Sequence, residues 1–151
     1  MKTLKSFSLN ETKKIAAQLA KKLTKKQSKQ ALVIALIGEL GAGKTTFVSG
    51  FLNGLKIKSL SPSPTFILIR RKKIKHPYFK NLYHIDAYRL KNPKELINLK
   101  IKDLILNPQN ILLIEWANKI LRFLPKNTIK IYFYHGRLEN ERKIVLKNIS
   151  L

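Results

Sequence analysis

The segment Gly38-Glu39-Leu40-Gly41-Ala42-Gly43-Lys44-Thr45 constrains this chain more than any other feature. It has the spacing G-x-x-x-x-G-K-T, follows the apolar run Ala31 to Ile37, and precedes Phe47, Phe51 and Leu55 at helical spacing. The order strand, glycine-rich turn, helix is the setting in which such a loop cradles phosphate. Glycines at 38, 41 and 43 let the backbone turn successive N–H groups inward. Those donors and the positive end of the following helix favour an anion. Glu39, Leu40, Gly41, Ala42 and Gly43 are therefore expected to wrap the phosphates, with Lys44 as a point charge on the β- and γ-groups. Thr45 offers a hydroxyl to Mg²⁺, a cation that prefers oxygen ligands, and Thr46 is expected near the α-phosphate.

The rest of the chain reads as one α/β domain over residues 1–151. Lys5 to Leu9 alternates like a short strand, and Asn10 is a candidate cap for a helix bearing Ile15, Leu19 and Leu23. Ser61-Pro62-Ser63-Pro64 breaks the chain into a loop. Strands are expected at Thr65 to Arg70 and Phe79 to Ile85, joined by a basic turn around Lys72 to Pro77. Pro93 suits the first turn of a helix holding Leu96, Ile97 and Leu99, which continues to Leu106 before Pro108. Ile111 to Ile114 is a second buried strand, and Ile129 to Tyr134 and Ile144 to Ile149 flank a turn at Gly136. The expected architecture is a three-layer P-loop fold, a mixed and mostly parallel sheet with helices on both faces.

There is no cysteine, so disulfides and thiolate-bound metals are excluded. No leader-like h-region follows Met1, and the longest apolar run is far short of the ~20 residues a membrane span needs. A cytoplasmic protein with no membrane partner is expected. The net charge of +23 fits work near nucleic acid. It fits better a composition biased toward Lys, Asn and Ile, whose codons are A/T-rich, because the lysines are spread along the whole chain, so the charge does not establish direct RNA binding.

Hydrolysis needs an acid at the metal and a group that orients water. Glu115 closes the strand Ile111 to Ile114, and Asp86 closes the strand ending at Ile85. Two carboxylates at two apolar strand ends beside a phosphate loop make a pair of candidate catalytic groups together with Lys44. Either acid is a candidate metal ligand or water-positioning base. Thr65, in Ser63-Pro64-Thr65-Phe66, lies either in a γ-phosphate-sensing loop or in a plain proline-bounded turn. Trp116, the single tryptophan, follows Glu115 directly and falls near the nucleotide or at a partner surface.

With these pieces in order, the chain resembles the TsaE family of bacterial tRNA-modification ATPases. The resemblance rests on residues 38 to 46, on Ser-Pro-Thr-Phe at 63 to 66, on His-Ile-Asp-Ala-Tyr-Arg-Leu at 84 to 90, and on Ile-Glu-Trp at 114 to 116. Glu95-Leu96, Leu124-Pro125 and Gly136-Arg137 agree more weakly. It implies an accessory ATPase of threonylcarbamoyladenosine synthesis that binds ATP and Mg²⁺ and drives turnover of a TsaD–TsaB complex. It implies contact with tRNA indirectly, through that complex. On this resemblance Thr45 and Glu115 hold the metal, Asp86 positions water, Thr65 and Trp116 line the pocket, and Arg137 reaches the nucleotide. Ala117 stands where the family often has proline, and no glycine follows Glu95-Leu96 closely.

Three other readings compete. A GTPase-like switch is disfavoured because Asn118-Lys119 is followed by Leu121 where guanine recognition needs a carboxylate, and Asp86-Ala87-Tyr88-Arg89 lacks the expected glycine. A small-molecule kinase needs a substrate pocket and lid for which little chain remains. A nucleotide-gated RNA-binding protein would show steeply salt-dependent RNA binding on its own.

Overall fold

The computed structural model describes residues 1–62, 69–92 and 94–149. Its elements are β1 (Lys2–Ser6), α1 (Leu9–Leu23), β2 (Leu32–Gly38), α2 (Lys44–Gly54), β3 (Ser61–Pro62), β4 (Ile69–Lys73), β5 (Asn81–Asp86), α3 (Glu95–Asn98), α4 (Ile101–Leu106), β6 (Asn110–Glu115), β7 (Ile129–His135) and β8 (Arg142–Lys147). The eight strands form one sheet in the order β1-β8-β7-β2-β6-β5-β4-β3. The centre, β7-β2-β6-β5, is parallel, and antiparallel strands close both edges. Parallel central strands need crossover connections, and the helices supply them.

The alternation of β2 and β6 sorts the core into two layers. Ile34 and Leu36 with Ile111 and Leu113 face α1 and α2, packing with Leu19, Phe47 and Phe51. Val33 and Ala35 with Leu112 and Ile114 face the other way, onto Leu96, Ile101 and Ile105 of α3 and α4. Phe47 meets Phe133 edge-on at 5.4 Å, which ties α2 to β7. The sheet is thus mixed, with helices on both faces, as expected.

α1 and α2 lie close because Gly50 and Gly54 have no side chain. A Cβ at Gly54 would fall 2.6 Å from the Ala17 carbonyl oxygen, and one at Gly50 would strike the Lys13 backbone. Gly54 thus does more than end a helix.

Several local expectations change. The first strand is Lys2–Ser6, not Lys5 to Leu9, and the cap of α1 is Ser8, not Asn10. Ser8 Oγ accepts from the Glu11 N–H while Glu11 Oε2 accepts from the Phe7 N–H, so a reciprocal cap starts the helix two residues early. Ser61-Pro62 forms a short edge strand against Arg71 and Arg70 rather than a loop. The expected single helix from 93 to 106 is two helices, because Lys100 adopts a left-handed conformation, φ 51°, between them. Ile97 at that break is 77% exposed, so it is no core position. The last strand is Arg142–Lys147, earlier than expected, and ends at Asn148 with φ 58°. Ser63 to Phe66, with the Thr65 expectation, and Pro93 lie outside the described residues.

Candidate nucleotide site

The site forms where the carboxyl ends of β2, β5 and β6 meet the start of α2. β2 ends in the loop 38–43, and the backbone turns into α2 at Gly41 (φ 72°) and Gly43 (φ 107°), conformations that side-chain-bearing residues avoid. Gly38 is not in this class: its backbone is ordinary, and it is small because β7 runs close, a Cβ there falling 2.7 Å from the Phe133 carbonyl oxygen. Gly43 caps α2 with no side-chain hydrogen bond. The first N–H groups of the helix are left for an outside acceptor.

Lys44 is 4% exposed and folds back over this loop. Its Nζ donates to the carbonyls of Gly38 and Glu39, both at 2.7 Å, and lies 4.0 Å from the Trp116 ring centroid. Burial lowers the Lys44 pKa, against the opposing pull of Glu115 and Asp86.

The carboxylates arrive by register. Asp86 and Glu115 are paired across the parallel strands β5 and β6. Along β5, Leu82, His84 and Asp86 share a side, and along β6 so do Ile111, Leu113 and Glu115. Leu82, Ile111 and Leu113 pack on the α2 side, so the polar residues at these strand ends extend apolar rows toward Thr45. Thr45 Oγ1 donates to Glu115 Oε2 at 3.0 Å. The other carboxylate oxygen, Oε1, is 2.9 Å from His84 Nε2, and His84 Nδ1 is 3.4 Å from an Arg70 nitrogen. The side chains of His84 and Glu115 are 4% and 8% exposed. Burial pushes the Glu115 carboxyl up. The hydrogen bond and charge of His84, the Thr45 hydroxyl and Lys44 outweigh it and hold the pKa below its ordinary value. Asp86 Oδ1 accepts from the Tyr88 N–H, which starts the turn Ala87–Arg89 and fixes its carboxylate.

A cavity of about 140 Å³ opens beside the loop, where Gly41, Lys44, Thr45, Thr46, Glu115 and Trp116 line it. Trp116 has φ 55°, a left-handed turn that swings its ring back over Lys44. Of the expected residues, the fold brings Leu40, Gly41, Gly43, Lys44, Thr45, Thr46, Glu115 and Trp116 together on this cavity, with Asp86 beside them on the next strand. The side chains of Glu39 and Ala42 do not line it, and Ala42 packs into the core. Arg137 lies in the exposed β7–β8 turn, its backbone N–H on Glu141, and does not line the cavity.

Two side chains given no role in the site from the sequence are built into it, one of them His84, the first residue of the motif at 84 to 90. Arg142, the first residue of β8, lines the cavity against Gly43. It donates through Nη1 to the carbonyls of Glu139 and Glu141, while its buried Nε finds no acceptor among the described residues. His84 reads as one residue of an alternating strand, and nothing in that pattern says that its ring meets Glu115. Neither carries a spacing signal, because both reach the site through sheet pairing.

Among the described residues no three His, Cys, Asp or Glu side chains cluster as a metal cage. The oxygens of Thr45 and Glu115 still fit Mg²⁺, which keeps most of its shell for water and phosphate. Fold and loop together define a P-loop α/β protein with the features of a nucleotide site.

The comparisons with known proteins carry this to a family. The family model "Threonylcarbamoyl adenosine biosynthesis protein TsaE" matches residues 6–144. The TsaE protein of Bacillus subtilis is 38% identical, over 99% of this chain and 89% of its own length. That of Haemophilus influenzae is 35% identical, over 88% and 82%. The crystal structure of YdiB from Bacillus subtilis superposes with a TM-score of 0.70 at 30% identity, covering 95% of this chain and 83% of that one. The chain belongs to the TsaE family, involved in tRNA threonylcarbamoyladenosine biosynthesis.

Proposed function

We propose that this protein is the accessory ATPase of tRNA threonylcarbamoyladenosine modification, and that it hydrolyses ATP to let a TsaD–TsaB complex turn over. The observation that carries the reading is Lys44 folded onto the carbonyls of the phosphate loop, beside a chain of contacts from Thr45 through Glu115 to His84.

In this reading Lys44 exchanges the Gly38 and Glu39 carbonyls for the β- and γ-phosphate oxygens of ATP. The free N–H groups at the start of α2 receive the phosphates, and the orphaned Nε–H of Arg142 gains an acceptor on the nucleotide. Thr45 and Glu115 hold Mg²⁺, whose contribution when bound is to neutralise charge on the phosphate oxygens. His84 fixes one oxygen of Glu115 so that the other stays aimed at Thr45. Asp86 positions the water that attacks the γ-phosphorus, and the bond to the β–γ bridging oxygen breaks to leave ADP. Positioning and preorganised charge supply most of the acceleration. Trp116 shields Lys44 from solvent and closes one wall. Specific recognition of the tRNA runs mainly through the partner complex.

The test is phosphate release from ATP by the purified protein, with and without the TsaD–TsaB pair, with GTP as control. Low activity alone that rises with the pair, and only with ATP, is expected. Turnover indifferent to the pair, or a preference for GTP, would sink the proposal. Nucleotide binding has its own readout: the single tryptophan lies against Lys44, so ATP should change Trp116 emission in the wild type and not in Lys44→Ala.

A further inference from the structure

Between Glu39 and Asp86 the sequence has no Asp or Glu, but it has nine lysines and arginines. The fold gathers much of this charge at one place, away from the nucleotide cavity. β4 runs antiparallel to β5, which sets Lys72 opposite Leu82 and Lys73 opposite Asn81. The segment after β4 lies against the chain that leaves α2, where Lys56 and Lys58 flank Ile57. Between the two segments is a cavity of about 450 Å³. Ile57 is buried in its floor, and Ile74 packs on the same core. Lys56, Lys58, Lys72, Lys73 and Lys75 form its rim, all exposed, and among the described residues none that lines it is acidic.

We infer that this groove is a docking surface for the phosphate backbone of RNA, bound directly by this chain. Five ammonium groups around one cleft repel one another in the free protein, and a string of phosphates relieves that repulsion while releasing counterions. The occupant follows from the residue types. Protein interfaces are depleted in lysine and centred on aromatic or arginine anchors, and this rim is lysine throughout. A lysine is a point charge on a flexible stem, without the fork by which arginine grips carboxylate or phosphate, so this rim acts through summed charge, as a run of phosphates requires. Among the described residues no ring lines the groove for a base to stack on, so contact is with the backbone and independent of sequence. The family acts in tRNA threonylcarbamoyladenosine biosynthesis, which makes tRNA the RNA to test. RNA binding at this groove does not depend on ATP hydrolysis.

The test uses the full-length protein and a labelled unmodified tRNA transcript, titrated by fluorescence anisotropy over a range of salt. The triple variant Lys72→Gln, Lys73→Gln, Lys75→Gln is compared with Lys14→Gln, Lys21→Gln, Lys25→Gln, which removes the same charge from the exposed α1 face and the turn after it. The groove variant should bind about tenfold more weakly at moderate salt, with a log–log salt slope lower by about two to three, while the α1-face variant changes less than about twofold. Lysine acetylation read by mass spectrometry should show Lys56, Lys58, Lys72, Lys73 and Lys75 protected by tRNA, and Lys21 and Lys22 not. Equal losses in the two triples would reduce the effect to net charge and overturn the site. No wild-type binding, or displacement of tRNA by polyglutamate at equal charge concentration, would overturn RNA as the occupant in favour of an acidic protein surface. ATP turnover, measured alongside and expected to persist in both triples, keeps this result separate from that of the nucleotide site.

Discussion

Lys44 and Lys73 sit on one framework of sheet and helices, but in opposite surroundings. The ammonium of Lys44 is enclosed by two carbonyls and an indole ring, with Glu115 and Asp86 near enough to pull on its titration. Lys73 ends β4 in solvent, on the rim of a groove with no acid among its lining residues. Around Lys44 the ammonium and the Glu115 carboxylate are buried with hydrogen-bond partners, so their positions are fixed to within a hydrogen bond and water screens little. Around Lys73 no position is specified and only the summed field acts, within a Debye length of about 8 Å at physiological salt. The first arrangement suits chemistry at one atom, and the second suits adhesion to a repeating polyanion.

The two surroundings should differ most in what a single substitution does to turnover. Lys44→Ala is expected to cut ATP turnover by at least about a hundredfold while the protein still folds. Wild-type turnover in that variant would mean that the buried lysine is structural and that the contrast is false.

Glu115→Gln comes next, with a loss of roughly ten- to a hundredfold in Mg²⁺-dependent turnover. Its pH signature is separate from its rate. Because the folded state holds the Glu115 pKa below its ordinary value of 4.5, its stabilising contribution is complete above that value and is lost as the pH falls through the lower folded one. Wild-type melting temperature should therefore fall below about pH 4.5 more steeply than that of Glu115→Gln. Parallel acid profiles would show that the buried network adds nothing to the fold.

His84 sits between the two regions, with Glu115 on one ring nitrogen and Arg70 of the basic strand on the other. His84→Ala should lower kcat several-fold with KM for ATP little changed, and remove about 1–3 kcal/mol of stability by leaving a buried carboxylate oxygen unpaired. Partial recovery of kcat in His84→Gln, whose amide can still donate to Glu115, separates positioning from bulk. Equal defects in the two variants would assign His84 to packing alone.

The smallest effect is expected at the edge. The Lys72, Lys73, Lys75 triple Gln variant should leave ATP turnover within about twofold and stability within about 0.5 kcal/mol, as exposed charges generally do. A larger change in basal turnover would show the two regions to be energetically coupled, with Arg70 and His84 the contacts to examine.

Which of these features the sequence discloses follows from the range of the interaction behind each. The phosphate loop, the two buried strands and the carboxylates at their ends are set by residues near one another in the chain: glycines that permit φ 72° and 107°, apolar runs, and an acid placed where a run stops. So Lys44, Thr45, Asp86 and Glu115 are legible in the sequence alone. The reciprocal cap that starts α1 at Ser8 is also written locally, in Ser8 and Glu11, but Asn10 is as good a cap by type and the alternation into Leu9 masks it. Lys100 gives no signal, because a lysine in a left-handed turn is held there by the packing of Leu96 and Leu99 on one side and Ile101 and Ile105 on the other. Gly50 and Gly54 explain themselves only through α1, which begins more than thirty residues earlier. The order of eight strands decided the rest. It set β5 beside β6, which put His84 on Glu115, and brought β8 around to lay Arg142 against Gly43. It also set the end of β4 and the residues after it across from the chain that leaves α2, turning scattered lysines into one groove. Local backbone and side-chain preferences act over a few residues and can be read along the chain. Contacts between strands far apart in sequence exist only once the sheet has closed, and those contacts chose the partners of Glu115.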